Sequence, residues 1–255
     1  MHLFLGAPCP DFGAFDLKLA YRGLMRLNPH CPKQALPITP EMLINFQSHL
    51  DLSDPGHATT WCAFLFGFFL MLRKSNLVPK SGNAFDSEKV LCRRDILIDD
   101  RALLVVIKWS KTNQFGQRRL KLPLLAIQGS VLCPVTAFKR MVKLNPAMPQ
   151  SPAFMVRGEG KKPPRVLTYA CFQSVLRQLV GLTGLNPELY SSHSFRRGGA
   201  SWAFKCQVPG ELIQLQGDWA SDSYKRYLHV PIEVKVSVAR KMRDSVGGLP
   251  RQIEI

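Results

Sequence analysis

The chain has 255 residues, 46% of them hydrophobic and 20% charged, which excludes a disordered or fibrous protein and permits one large domain with an appendage. Lysine and arginine number 34 against 18 aspartate and glutamate, a formal net charge of +16. Such a balance points to a polyanionic partner, although a solvated basic surface is a common alternative.

The seven cysteines stand singly, with no CxxC pair and no zinc-finger histidine spacing. Neither a disulfide framework nor a zinc site is expected, and a reducing compartment fits. The N-terminus lacks the basic start, apolar stretch and cleavage site of a secretion signal. Between Asp100 and Glu159 there is no acidic residue, while Arg101, Lys108, Lys111, Arg118, Arg119, Lys121, Lys139, Arg140, Lys143 and Arg157 fall inside. A field of one sign over that much chain suits a phosphate backbone, which exchanges counterions for basic side chains.

In chain order, the first segment is broken by Pro8, Pro10, Pro29, Pro32 and Pro37 and carries one helix, Phe15 to Leu27, stopped by Asn28-Pro29. Thr39 followed by Pro40 opens a second helix that runs to about Leu50. The run Trp61 to Leu72 is too short to span a bilayer and reads as a buried core helix. The period then changes. Ile96 to Ile98 and Leu103 to Ile107 flank the turn Asp99-Asp100-Arg101, and Arg119 to Leu122 forms a third strand before Pro123. Helices follow over Pro134 to Leu144, Thr168 to Val180, His193 to Cys206, Pro209 to Leu215, Ser221 to Leu228 and Pro231 to Val246. Pro146 to Pro164, rich in Pro, Gly and Lys, is expected to be a long surface loop.

Chemistry concentrates in four places. His193 and Arg196 share a face at a helix start, where Ser191 and Ser192 are N-cap candidates and free amides favour an anion. Such a pair arises by chance in many chains, so its company decides. Downstream lie Gly217-Asp218-Trp219 and then Tyr224, Lys225, Arg226, Tyr227 and Leu228. Upstream, Arg73 closes the apolar run in Leu72-Arg73-Lys74-Ser75-Asn76-Leu77, and Lys108 and Lys111 stand in Ile107-Lys108-Trp109-Ser110-Lys111-Thr112 between two strands.

In this order the segments resemble the tyrosine recombinases, and most nearly the DIRS-like and Crypton recombinases of eukaryotic mobile elements, which share a Gly-x-Trp and an Arg-Tyr-hydrophobe ending. The resemblance implies catalytic roles for Arg73, Lys111, His193, Arg196, Trp219 and Tyr227, with Lys108 as the alternative lysine and Tyr224 as the alternative tyrosine. Two departures stand out. Asn76 occupies a position where relatives often carry an acid, and Trp219 lies one residue nearer Tyr227 than in many of them.

The residue types suit metal-free phosphoryl transfer. Arg73 and Arg196 would grip the non-bridging oxygens with planar forks, and His193 would move the proton at the nucleophile. Lys111 would protonate the leaving oxygen, Trp219 would offer an indole N–H, and Tyr227 would form an ester that conserves bond energy. No pair of carboxylates accompanies these segments to hold divalent ions.

The expected fold is α+β and mainly helical, with a small three-stranded antiparallel sheet, the integrase-like catalytic fold that the family shares with type IB topoisomerases. Residues 1–38 read as the remnant of a core-binding domain with a proline-rich linker, and residues 39–255 as the catalytic domain. From this short first part a fragment, a truncated copy or a degenerated element is expected. The expected activity is strand cleavage and rejoining in recombination or integration of a mobile element, without a cofactor. Double-stranded DNA is the expected partner, with self-association on it, no membrane and no small-molecule substrate. The location is nuclear or otherwise intracellular. The rival reading is a catalytically silent DNA-binding protein domesticated from such an element; an RNA-binding module lacks its aromatic or Gly-rich signatures.

Overall fold

The computed structural model describes residues 15–27, 34–111, 119–158, 160, 162–228 and 232–247. Cys9, Cys31, the proline-broken segments around Pro8, Pro10, Pro29 and Pro32, Thr112, Arg118, Glu159 and the side chains of Val234 and Val238 lie outside the described residues. The chain divides into two compact units, Met1–Gln34 and Ala35–Ile255. Within the first, helix α1 (Phe15–Leu27) has the expected bounds.

The second unit is organised by one helix. Thr39 caps α2 (Pro40–Ser48) by accepting from the Met42 amide, and Asp54 caps α3 (Pro55–Phe69) by accepting from the His57 amide. Every residue of α3 from Ala58 to Phe68 is buried, the pattern of a helix packed on all sides. Its aromatic side chains make the core. Phe64 meets Phe172 of α6 (Tyr169–Leu182) at 4.8 Å and Phe195 of α7 (Ser192–Lys205) at 4.6 Å. Phe66 meets Phe138 of α5 (Pro134–Leu144) at 5.8 Å. Each such buried ring contributes about 1.5–3 kcal/mol by leaving water.

Helix α3 starts earlier than the apolar run and stops before its end. The backbone leaves the helix after Phe69, and Met71 takes a left-handed conformation with φ of 50°. This turn carries Arg73 to the N-cap of the short helix α4 (Lys74–Leu77).

Strands β1 (Ile96–Ile98), β2 (Ala102–Ile107) and β3 (Leu120–Leu125) form the expected antiparallel sheet in the order β1-β2-β3, with Ile96 opposite Val105 and Ile107 opposite Leu120. Leu103, Val105, Ile107, Leu122 and Leu124 line its buried face. Contrary to expectation, β3 runs on through Pro123. Among the described strands β3 lies at the sheet edge, where proline is tolerated because one side of the strand has no ladder to interrupt.

The Pro146–Pro164 segment is less open than its composition suggests. Ala153 and Phe154 are buried, Phe154 stands edge-on to Phe66 at 5.5 Å, and β4 (Met155–Val156) pairs with β5 (Arg165–Val166). Asn145 ties this segment to α3. Its side-chain N–H donates to the Pro55 carbonyl and the Thr59 hydroxyl, each at 3.0 Å, and its oxygen accepts from the Arg157 amide at 2.7 Å.

The C-terminal elements are α8 (Gly210–Gln216), a 3-10 turn over Asp222–Tyr227, and α9 (Ile232–Gly247). The sequence pattern over Ser221–Leu228 predicts an α-helix, but the segment winds more tightly. Residues three apart eclipse in a 3-10 turn, which sets Tyr224 and Tyr227 on one side. Among the described residues Cys62, Cys92, Cys133, Cys171 and Cys206 are free thiols, and no helix is long and apolar enough to cross a membrane.

Helix α7 approaches its neighbours more closely than any side chain would permit. A Cβ at Gly198 would lie 1.9 Å from the Ile38 carbonyl oxygen, and one at Gly199 would lie 2.1 Å from the Phe68 carbonyl oxygen. Both obstacles are backbone. Gly199→Ala is therefore expected to destabilise the fold by about 3 kcal/mol. The check is a lower urea midpoint at unchanged slope; a shift worth less than about 0.5 kcal/mol would contradict this packing.

Candidate active site

Four of the six predicted residues come together at the small second core formed by Met71, Ala200, Ile213, Trp219 and Tyr224. Ser191 is the N-cap of α7. Its hydroxyl accepts from the His193 amide at 3.2 Å, and its own N–H donates to the Ser194 hydroxyl at 3.0 Å. One helical turn in, Arg196 points inward and is only 2% exposed. Its Nη1 donates to the carbonyl of Met71, which the left-handed turn after α3 aims at it.

The Arg196 guanidinium lies over the Trp219 ring at 3.7 Å and 5.4 Å from the Tyr227 ring. Trp219 and Tyr227 are 5.3 Å apart. Stacking leaves the in-plane donors of Arg196 available, and its Nε and Nη2 are buried without a hydrogen-bond partner, as is the indole N–H of Trp219. Burial, then the charge of Arg73, pull the Arg196 pKa down, while Tyr227 and Asp218 pull it up. Buried donors left open within one cluster are uncommon in folded proteins and suit an acceptor brought by a ligand.

Trp219 reaches this place because Gly217 has no side chain. A Cβ there would lie 1.7 Å from the indole ring. Asp218 between them adopts φ of 53°, a left-handed conformation that aspartate tolerates better than most residues.

Arg73 enters from the other side of the cluster, one-fifth exposed. Its Nη2 donates to the Asp218 carbonyl at 3.1 Å, and its Nη1 lies 3.5 Å from the Asp218 carboxylate. The sequence offers no acidic partner for Arg73 at position 76; the fold supplies one from position 218. Asn76 serves a different neighbour, donating its side-chain N–H to the Trp109 carbonyl at 2.6 Å.

His193 lies at the exposed start of α7. Partial desolvation of its ring by the surrounding protein, then the positive charges of Lys74, Arg196 and Arg73, hold its pKa below the usual histidine range, although the residue keeps contact with solvent. Lys111 is an exposed turn residue just after Ser110, whose hydroxyl donates to the Asp218 carboxylate. Lys108, the alternative lysine, is engaged at the sheet edge: its ammonium lies 3.0 Å from Asp95 and donates to the Ser87 carbonyl. Tyr224, the alternative tyrosine, is buried, with its ring 6.3 Å from Trp219. Tyr227 is half-buried, and its backbone carbonyl accepts from the Ser201 hydroxyl at 3.3 Å.

The residues that sequence reasoning passes over are Met71, Ser110 and Asp218, and Asn76 is legible there only as a departure from the acidic pattern. Met71 contributes only a backbone carbonyl, which no side-chain pattern announces. Asp218 had a signal: it is an acid enclosed by Gly217 and Trp219 in a basic chain.

Compared by sequence, the chain matches no protein-family model and no curated protein. Compared by structure, it is similar to solved recombinases. XerA recombinase superposes with a TM-score of 0.56 at 11% identity, over 84% of this chain and 65% of that one. XerH site-specific recombinase, solved in a pre-cleavage complex with its difH substrate, gives 0.55 at 17% identity over 81% of this chain and 53% of that one. The Tn1549 transposon integrase in complex with circular-intermediate DNA gives 0.50 at 15% identity over 82% and 66%. The chain thus spans between half and two-thirds of the length of these proteins. Its fold, mainly helical around a small three-stranded antiparallel sheet, is that of the catalytic domains of tyrosine recombinases.

Proposed function

We propose that the chain cleaves and rejoins double-stranded DNA through a 3′-phosphotyrosine, in the site-specific recombination or integration of a mobile element. The observation that carries this reading is the cluster in which Arg196, with two open buried donors, stacks on Trp219 beside Tyr227. A phosphate seated there would receive N–H groups from Arg196 and Trp219 and the charge of Arg73. Residues 39–255 act as the catalytic domain. Several protomers meet on the DNA, in the nucleus or elsewhere inside the cell.

In the proposed step the Tyr227 hydroxyl attacks phosphorus and its proton passes to His193. The bond from phosphorus to the 5′ oxygen breaks, and that oxygen takes a proton from Lys111. A 3′-phosphotyrosine and a free 5′ hydroxyl result, and rejoining is the reverse. The departure of Asn76 from the acidic pattern leaves Arg73 supported, because Asp218 stands against it.

The test mixes the purified chain with labelled, nicked duplexes carrying the DNA that flanks this gene, with chelator present. A covalent adduct on a denaturing gel is expected. Retarded DNA with no adduct would overturn the reading in favour of a silent DNA-binding protein.

The low pKa of His193 also sets a pH dependence. Its neutral form is the acceptor, so the rate at limiting DNA rises with pH and levels off once His193 is deprotonated. The acid limb is expected below the 6.5 of an unperturbed histidine, and His193→Gln is expected to flatten it. A limb centred above 6.5 would contradict the assignment.

A further inference from the structure

Asp218 makes two contacts that join separate parts of the site. Its carbonyl and carboxylate face Arg73, and its carboxylate accepts from the Ser110 hydroxyl at the end of the strand segment that delivers Lys111. Asn76, two residues beyond the start of α4, holds the same strand end by donating to the Trp109 carbonyl. The side chains of Asn76, Ser110 and Asp218 are all buried, so these links are shielded from competing water. Lys111 itself is exposed and lies in a turn, so its reach into the site is set by how firmly residues 109 and 110 are anchored.

We infer that Asp218 is a positioning residue that couples the phosphate-gripping arginine to the proton-donating lysine, clamping Arg73 and the Ser110–Lys111 turn to the segment that carries Trp219. The inference rests on the proposed function. It assigns to one carboxylate the neutralisation of Arg73 in the empty site and the alignment of Lys111 on the leaving oxygen. A rotation of the Asp218 side chain would release the Ser110 hydroxyl and the carboxylate contact to Arg73 Nη1 together, leaving Arg73 its hydrogen bond to the Asp218 carbonyl.

The experiment uses the full chain and the duplex position at which the parent protein cleaves, made in two forms: the ordinary phosphodiester and one with the bridging 5′ oxygen replaced by sulfur. A thiolate leaves without a proton, so the second substrate bypasses Lys111. Asp218→Asn keeps the size and tolerates the left-handed backbone at 218. It is expected to slow adduct formation on the phosphodiester by about 10²-fold and to recover about tenfold of that with sulfur, the remainder being the loss at Arg73. Ser110→Ala severs only the lysine arm and is expected to lose about tenfold, with full recovery on the sulfur substrate.

Equal slowing of Asp218→Asn on both substrates, with Ser110→Ala at the parent rate, would overturn the coupling, as would a parent rate for Asp218→Asn. If the parent protein itself forms no adduct on either substrate, the proposed function fails, and this inference falls with it.

Discussion

Tyr227→Phe is expected to abolish the covalent adduct entirely, a loss of more than about 10³-fold, while Tyr224→Phe retains it. Both tyrosines lie on one side of the same 3-10 turn and both approach Trp219, so proximity to the indole does not separate them. Their surroundings do. Tyr224 is packed in the second core with its hydroxyl against Gly210, where an added Cβ would come within 2.3 Å of that oxygen. Tyr227 is half-buried and faces the Arg196 guanidinium, whose open donors favour a phosphate at the same spot. Comparing adduct yields on one nicked duplex decides the matter: an adduct that survives Tyr227→Phe and vanishes in Tyr224→Phe would reverse the assignment. DNA retardation is expected to be unchanged in Tyr227→Phe, since the substitution removes one hydroxyl and no charge.

The second large effect is expected at Arg196, where activity and stability should part company. Arg196→Met keeps a long unbranched side chain over the indole but removes the charge and every donor. Losing such a donor to a developing phosphorane is expected to reduce adduct formation by about 10²–10³-fold. Stability is expected to stay within about 1 kcal/mol of the parent, because a cation buried beside Arg73 with two unpartnered nitrogens is a poor contributor to folding. The loss of the hydrogen bond to the Met71 carbonyl works in the opposite direction and keeps the balance near zero. Urea unfolding and the adduct assay on the same preparation test this. A stability loss above about 3 kcal/mol would mean that Arg196 is chiefly a structural prop. A small change with activity lost is the signature of a residue held in place for a ligand.

Much of the fold was readable from local chemistry. The bounds of α1, α5 and β1 follow directly from periodicity, proline and turn residues, because those signals act within a few residues of each other. The places where local reading missed are places where distant packing outweighed it. Helix α3 ends at Phe69, although the apolar run continues, because Met71 must turn its carbonyl toward Arg196 from α7. The loop after Asn145 folds inward because Phe154 finds Phe66. The tight turn at Asp222–Tyr227 sets two tyrosines against the indole of Trp219, a contact made by the fold of the segment between them.

For the site, the sequence by itself determined which side chains are candidates and their order along the chain: Arg73, Lys111, His193, Arg196, Trp219 and Tyr227 are of the types that the proposed phosphate chemistry needs. Only the tertiary structure decided the surroundings of the alternatives and supplied the supports. It occupied Lys108 with Asp95, buried Tyr224, and gave Arg73 an acidic neighbour from position 218 instead of position 76. The physical reason is range. A hydrogen bond or ion pair depends on ångströms in space, and residues 73, 110 and 218, far apart along the chain, become neighbours only in the folded structure.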